Sequence, residues 1–309
     1  MKSICIYILL SVICLNIYAQ TDTVPNNRDT LVQVTTDNTV TTQPLIDNVQ
    51  PVTTERVRLQ DGEEVYRLKP AIDIPLTLIA GGWSAYAFTK IYNKDPSTEA
   101  EIRALRMSDI NGFDRWAADV YSEKAANTSD IFFYGAMPLP IVLLFDKHIR
   151  SDAGKFAFLY LEAMSITGLF YTGSVYLVDR YRPLAYNPEI SMDERRRGGS
   201  KNSFIAGHPA LVATSTFFTA KVFSDYHPES PLRHLFYGAA VVSTVGTVYL
   251  RHRGGKHFPS DLIIGTSIGT LSGLLVPHFH KNPILKNSGL SVLPYSHAGQ
   301  GVSLVYKFK

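Results

Sequence analysis

The sequence predicts an all-α fold: a helical bundle of about six apolar helices, embedded in a membrane, followed by a short C-terminal β-hairpin. Three observations predict it. Hydrophobic residues make up 45% of the 309 residues and charged residues only 18%, against about 25% charged in an average soluble chain. Apolar stretches recur at about 74–92, 131–146, 156–178, 204–224, 234–250 and 261–279. Small residues such as Ala239, Ala240, Ser243 and Gly246 punctuate them, where neighbouring helices can approach closely. The uncharged cores run to roughly 15–18 residues, the short edge of the ~17–25 that span a bilayer. An integral membrane bundle and a soluble bundle of very apolar helices both fit this length. The shortage of charged surface favours the membrane.

Taken in order, residues 1–20 read as a secretory signal peptide: Lys2, an apolar run, then Ala19 before Gln20. An uncleaved anchor helix is the alternative, because Ile17 is large for a cleavage site. Lipoprotein processing at Cys14 is disfavoured by Ile13 before it. Residues 21–70 form a polar tail, rich over 21–55 in Thr, Asn, Asp, Val and Gln without apolar period. The bundle occupies residues 71–282. Within it, 98–128 has amphipathic character (Ile102, Leu105, Ile110, Phe113, Trp116, Val120), as of a surface helix pair. Residues 283–309 end in Val302, Leu304, Tyr306 and Phe308, alternating with Ser303, Val305 and Lys307, which predicts the hairpin.

Some function classes fall away on composition. A formal charge of +3 is too small for a nucleic-acid binder. The two cysteines, Cys5 and Cys14, lie in the leader, so a processed chain has no disulfide, thiol chemistry or cysteine metal site.

The chemistry-bearing residues gather at the ends of the apolar stretches. Asp179-Arg180-Tyr181-Arg182-Pro183 closes the third, Ser203–His208 opens the fourth, and Arg251–Asp261 joins the fifth to the sixth. In an antiparallel bundle with short loops these three clusters share one end. Guanidinium groups offer forked donors that match tetrahedral oxyanions. Gly207 and His208 open a helix, where backbone N–H groups favour phosphate. Asp261, four residues after His257, is placed to hold one imidazole proton and leave the other nitrogen as nucleophile. His208 is placed to give a proton to a departing alkoxide. Each pair alone is ordinary: an H-x-x-x-D spacing is most often a surface salt bridge. Order and placement of all three together carry the reading. Glu162 either faces the bundle interior or marks its stretch as less membrane-embedded than it looks. His278 and His280, after the last stretch, lack an evident third metal ligand. The run Arg195-Arg196-Arg197 suits either an anionic headgroup or solvent.

These clusters resemble the signature of the type 2 phosphatidic acid phosphatase (PAP2) superfamily, which shares its fold with vanadium haloperoxidases. That signature runs K-x6-R-P, P-S-G-H and S-R-x5-H-x3-D. Arg182-Pro183 matches the end of the first motif, Gly207-His208 the end of the second, and Arg251, His257 and Asp261 the charged skeleton of the third. The resemblance covers about residues 72–280. It implies a phosphohistidine at His257 oriented by Asp261, and phosphoryl oxygens held by Arg182, Arg251 and the Gly207 amide. It also implies His208 as general acid, with neither cofactor nor metal. The chain departs from the signature at Val175, where the first lysine would stand, at Ile205-Ala206 for Pro-Ser, and at Leu250 for Ser. Arg180 or Lys256 is the candidate replacement for the missing charge.

The function expected is a metal-independent phosphatase acting on a lipid phosphate or isoprenyl diphosphate at a membrane. The alternatives are a lipid-phosphate-binding scaffold of the same fold and a vanadate-dependent haloperoxidase. Lys147, Arg150, Lys155, Lys281 and Lys286 lie opposite the catalytic clusters, so the positive-inside rule turns the active site toward the periplasm. With an exported tail this requires that 74–92 does not cross the inner membrane, or that the bundle is periplasmic and only membrane-associated.

Overall fold

A computed structural model describes residues 64–282, and the backbone of residues 290–295 and 301–306. The leader 1–20 and most of the tail lie outside the described residues. So do 283–289, 296–300 and 307–309.

The described bundle is helical. Its long helices are α1 (Pro70–Tyr92), α3 (Glu123–Ala136), α5 (Ala153–Leu177), α8 (Gly207–Tyr226), α9 (Leu232–Arg253) and α10 (Pro259–His280). Short helices α2 (Glu99–Ala104), α4 (Lys147–Ser151), α6 (Pro183–Tyr186) and α7 (Met192–Arg196) fill the connections. Local sequence sets many of the starts. Thr98 and Glu101 form a capping box on α2, the Ser122 hydroxyl accepts from Ala125 N–H at α3, and Asp146 accepts from His148 and Ile149 at α4. Pro70 and Pro259 stand at the first helical position of α1 and α10, where a missing N–H costs nothing.

Two expectations need correction. The stretch 131–146 is not one helix: α3 ends at Ala136 and a 3-10 segment covers Leu139–Phe145. The prolines Pro138 and Pro140 lack the N–H groups an α-helix would use. Residues 98–128 are not a helix pair either. After α2 they form short 3-10 turns at Met107–Asp109 and Arg115–Ala117, broken by the Asn111–Asp114 turn.

Helix α8 is the centre of the bundle, with α10, α9, α5 and α3 around it. Its contact with α10 is backbone on backbone. Gly265, Gly269 and Gly273 follow one another at a spacing of one turn. A Cβ on them would overlap the carbonyl oxygens of Ala206, Ala210 and Thr214 respectively. Without side chains, α10 lies directly on α8.

Helices α1 and α5 run in the same direction, Gly81 against Ser165 and Gly168 against Ser84. Beyond α1, Lys94 donates to the Val175 carbonyl and to Asp179, each at 2.7 Å. Stretch 74–92 therefore lies lengthwise on the outside of α5, and the start of α1 and the end of α5 fall at opposite ends. The last residues of the expected tail are also packed. Val65 and Tyr66 are buried, and Tyr66 donates to Asp225 at 2.9 Å. An antiparallel bridge joins Tyr66 to Lys281.

Apolar side chains face outward on every side, among them Leu78, Ile79, Ile131, Phe145, Leu235, Val242 and Ile263. Among the described residues, Glu123–Phe145 and Pro259–His280 are long and apolar enough to cross a membrane, which suggests membrane association. Asp61–Leu285 form one compact unit. Outside it, and described by themselves, strands β1 (Leu290–Tyr295) and β2 (Gly301–Tyr306) pair antiparallel with Leu290 opposite Tyr306. The link between the strands lies outside the described residues, so the expected hairpin is seen only as paired backbone.

The α8–α10 contact makes a stability prediction. Gly269→Leu drives a side chain into the Ala210 carbonyl and should cost at least the ~1–3 kcal/mol of an overpacked core. Gly238→Ala, with open space around it, should not destabilise. Thermal unfolding of both variants checks the difference.

Candidate active site

Five element ends meet at one end of the bundle: the ends of α5 and α9, and the starts of α3, α8 and α10. The connection Gly254–Phe258 carries His257. It turns at Gly255, whose φ of 62° is in the left-handed region, and Leu184 N–H donates to the Gly255 carbonyl at 3.1 Å. The starts of α8 and α10 are tied by Ala206 N–H donating to the Asp261 carbonyl at 3.2 Å.

His257 is 2% exposed, and its Nδ1 lies 2.7 Å from the Ser203 carbonyl. A carbonyl only accepts, so Nδ1 carries the proton and Nε2 keeps its lone pair. Burial, then the charges of Arg182 and Arg251, push the imidazole well below its ordinary value. Both causes favour the neutral ring.

Asp261 does not orient His257 directly. As the third residue of α10 it turns back to accept from Phe258 N–H at 3.0 Å, and from the Ser203 hydroxyl at 2.6 Å. Its other oxygen accepts from Arg180. The expected Asp–His contact is replaced by a relay: Asp261 fixes Ser203, and Ser203 presents its carbonyl to His257. The N3 position of the carboxylate decides this, since it folds back onto the N–H of Phe258, the N-cap of its own helix.

Arg180 is likewise placed away from the anion pocket expected for it. Its guanidinium bridges Asp261 and Asp114, the latter at 2.7 Å, donates to Ser260 Oγ at 3.0 Å and stacks 4.7 Å over Phe258. Asp114 is fully buried and also accepts from Ser260 N–H at 2.9 Å and Ser260 Oγ at 2.6 Å. With both carboxylates and the hydroxyl on it, Arg180 is consumed in holding the start of α10.

Arg182, Arg251 and Lys256 act on one another's charge and on the two histidines. Arg182 donates to the Asn202 carbonyl through Nε and Nη2, each at 3.4 Å. Burial lowers its affinity for its proton from the ordinary arginine value. Arg251 is 5% exposed and donates to Ser129 Oγ at 3.1 Å and Asp130 at 3.3 Å. Its Nε is buried without a hydrogen-bond partner. Lys256, in the same cluster, is lowered to about 8 by burial, then by Arg182 and Arg251. Arg251 pairs with Asp130 and Lys256 lies 3.9 Å from Glu194, so three cations share two carboxylates, and the excess positive charge favours an anion.

His208 is in the first turn of α8 with Nε2 3.2 Å from Asp130, and its ring lies 4.5 Å from that of Phe133. Gly207 opens α8. The ring of Tyr171 occupies the place of any Cβ there, so only glycine leaves room for it. Of the departures from the signature, Val175, Ile205 and Ala206 are apolar and buried, and Leu250 is half-buried.

The structure thus brings His257, His208, Arg182, Arg251 and Gly207 to one end of the bundle, and adds groups that sequence reasoning missed. Ser203 was visible only as the start of its cluster. Asp114 and Asp130 come from irregular or helical positions with no motif around them. Lys256, a sequence candidate for the missing charge, stands in the cation cluster, whereas Arg180 does not.

Residues 156–284 match the family model of the PAP2 superfamily. All three motif clusters fall within the matched residues. At the level of that family the match supports a phosphatase-type enzyme. No curated protein and no solved structure matches the chain.

The Lys256 environment sets a pH dependence. Its amine is charged below about pH 8 and neutral above, so anion affinity should fall as pH rises through that value. Tungstate, a dianion throughout this range, should bind up to about tenfold more weakly at pH 9 than at pH 7, the worth of ~1.4 kcal/mol. Lys256→Ala should flatten that change. Isothermal titration at both pH values checks it.

Proposed function

We propose that the protein is a metal-independent phosphatase that hydrolyses a lipid phosphate or isoprenyl diphosphate through a phosphohistidine at His257. The observation that carries this reading is the His257 tautomer: with Nδ1–H on the Ser203 carbonyl, Nε2 has a lone pair beside Arg182 and Arg251. In the first step Nε2 bonds to phosphorus as the bond to the leaving oxygen breaks. The two arginines, Lys256 and the Gly207 N–H hold the other phosphoryl oxygens. Burial, then Arg251, Arg182 and Lys256, hold His208 down to about 2; the bound phosphoryl dianion offsets those cations, so that His208, 3.2 Å from Asp130, takes up a proton and gives it to the departing oxygen. Water then attacks phosphorus, the P–N bond breaks, orthophosphate leaves and the water's proton returns to His208. Asp261 and Arg180 are assigned to positioning in this scheme. The outward apolar faces around the site favour an amphiphilic substrate.

The test is phosphate release from a panel of lipid phosphates in EDTA, with acid-sensitive trapping of the phosphoenzyme. Wild type should turn over and His257→Ala should lose the phosphoenzyme and fall by at least about a thousandfold. Near wild-type turnover by His257→Ala sinks the mechanism. The buried apolar residues Val175 and Ala206, where the signature has donors, favour a second reading, a lipid-phosphate-binding scaffold. Anion binding by folded protein with no release from any substrate is its result. Halide oxidation in the presence of vanadate would instead mark a haloperoxidase.

For localisation we propose an exported, inner-membrane-associated protein with the catalytic end toward the periplasm. Support comes from Lys147, Arg150, Lys155 and Lys281 at the opposite end of the bundle. Because α1 and α5 are parallel, a spanning α1 would put Pro70 and the catalytic end on opposite sides of the membrane. The reading therefore goes with the bundle lying on the periplasmic side, anchored by its apolar surface. Asp193→Cys, exposed near the catalytic end, in a Cys5→Ser/Cys14→Ser chain should be labelled in intact cells by an impermeant maleimide. Protection until lysis would place that end in the cytoplasm.

A further inference from the structure

At the end of the bundle opposite His257, three buried side chains from three helices converge. Asp73 of α1, Glu162 of α5 and His280 of α10 bring one ligand atom each within 4.8 Å of one another. Their exposures are 5%, 2% and 8%. His280 Nε2 lies 3.1 Å from Asp73 Oδ2 and 3.5 Å from Glu162 Oε2. Sequence reading placed His280 beyond the last helix with no third ligand in view. It is instead the last residue of α10, and the other ligands come from more than a hundred residues upstream.

The hydrogen bonds of this cluster leave one carboxylate oxygen without a donor. His280 Nδ1 lies 2.8 Å from the Val276 carbonyl, one turn back on its own helix. That carbonyl accepts, so Nδ1 is protonated and Nε2 is the atom turned toward the carboxylates. A neutral imidazole would aim a lone pair at two carboxylates. An imidazolium would balance one carboxylate and leave the second uncompensated. Asp73 Oδ2 has the Lys69 N–H as donor, but Glu162 Oε2 is buried with no hydrogen-bond partner. On the same buried face of α1, one turn beyond Asp73, the Thr77 hydroxyl oxygen is also buried without a partner. Buried charges of this kind are paired or coordinate metals.

We propose that Asp73, Glu162 and His280 form a binding site for a divalent transition-metal ion of the zinc class, which fastens α1 to α5 and α10. The donor set is one imidazole nitrogen and two carboxylate oxygens, suited to zinc and its neighbours rather than to calcium, which takes six or more oxygens. A tetrahedral ion with bonds of ~2.0–2.1 Å separates its ligand atoms by roughly 3.3–3.4 Å. The 3.1 and 3.5 Å separations here bracket that value. The Nδ1–H bond to Val276 is the outer partner that fixes the imidazole of a metal ligand. The site is remote from the cation pocket, so the ion holds the fold together and takes no part in phosphoryl transfer.

The test uses the full chain, purified without chelator, and reads metal content and melting temperature, neither of which depends on turnover. Wild type should retain about one zinc ion per chain after dialysis against metal-free buffer, or regain it from zinc chloride. Its melting temperature should fall in a strong chelator and recover on adding zinc. Glu162→Gln, nearly the same shape, and His280→Gln should both lose the ion and the chelator response. His227→Gln, whose histidine pairs with Asp146, should keep both. Cobalt(II) in place of zinc should give the intense visible bands of a tetrahedral ion. The proposal is overturned if wild type takes up no zinc, or if the Glu162 and His280 variants bind it as wild type does. A melting temperature indifferent to chelator and zinc, with Glu162→Gln as stable as wild type, overturns it too: a proton then holds the cluster.

Discussion

The backbone contact between α8 and α10 is the constraint on which the rest of the molecule depends. Gly265, Gly269 and Gly273 remove every side chain along one edge of α10, and the carbonyls of Ala206, Ala210 and Thr214 fill the space. The two helices therefore start in register. His208 stands in the first turn of one and His257 just before the other, joined by the Ala206 N–H bond to the Asp261 carbonyl. A larger residue at any of the three glycines would displace these starts relative to each other. The same helix carries His280 at its far end, so both candidate sites inherit their geometry from one interface.

The histidine environment shows how the chain arranges polar groups in a mostly apolar bundle. A carboxylate in contact with His257 would favour the imidazolium and raise its affinity for a proton. Here a peptide carbonyl takes that place, and it fixes the tautomer without placing a full charge beside the ring. The carboxylate of Asp261 is one residue removed and neutralised by Arg180, which Asp114 also holds. The result is a rigid mount made of satisfied charges, next to a cluster of cations that has few. Breaking a satisfied buried pair costs about 3–5 kcal/mol, so the mount resists exactly the shifts that would misplace Nε2. The cation cluster, in contrast, is stabilised by whatever anion it binds.

The outer surface carries a separate message. A soluble monomer rarely shows continuous apolar patches above about 300–600 Å², yet exposed leucine, isoleucine, valine and phenylalanine occur on α1, α3, α5, α9 and α10. Polar side chains in the middle of the helices, such as Thr167, Thr214 and Ser215, are turned inward. This distribution is the one a lipid surface permits, since lipid adds no penalty for exposed apolar atoms and a heavy one for unpaired polar ones.

By itself the sequence determined the helical class, and it singled out His208, His257, Arg182 and Arg251 as candidate site residues. Those follow from local information: apolar runs, prolines and glycines at ends, and motif spacings within a few residues. It also supplied Lys256 as a candidate for the charge missing at Val175. The roles of Asp261 and Arg180 were decided only by tertiary structure, because each depends on a partner far away in the chain. Asp261 meets Ser203 and Arg180, and Arg180 meets Asp114, sixty-six residues upstream. Asp114 and Asp130 belong to no motif and were invisible until folding set them beside a guanidinium. The Asp73–Glu162–His280 cluster is the extreme case. Periodicity identifies which helices exist, but which faces meet depends on side-chain volumes and close backbone approach, and those are properties of helix pairs rather than of any one stretch of sequence.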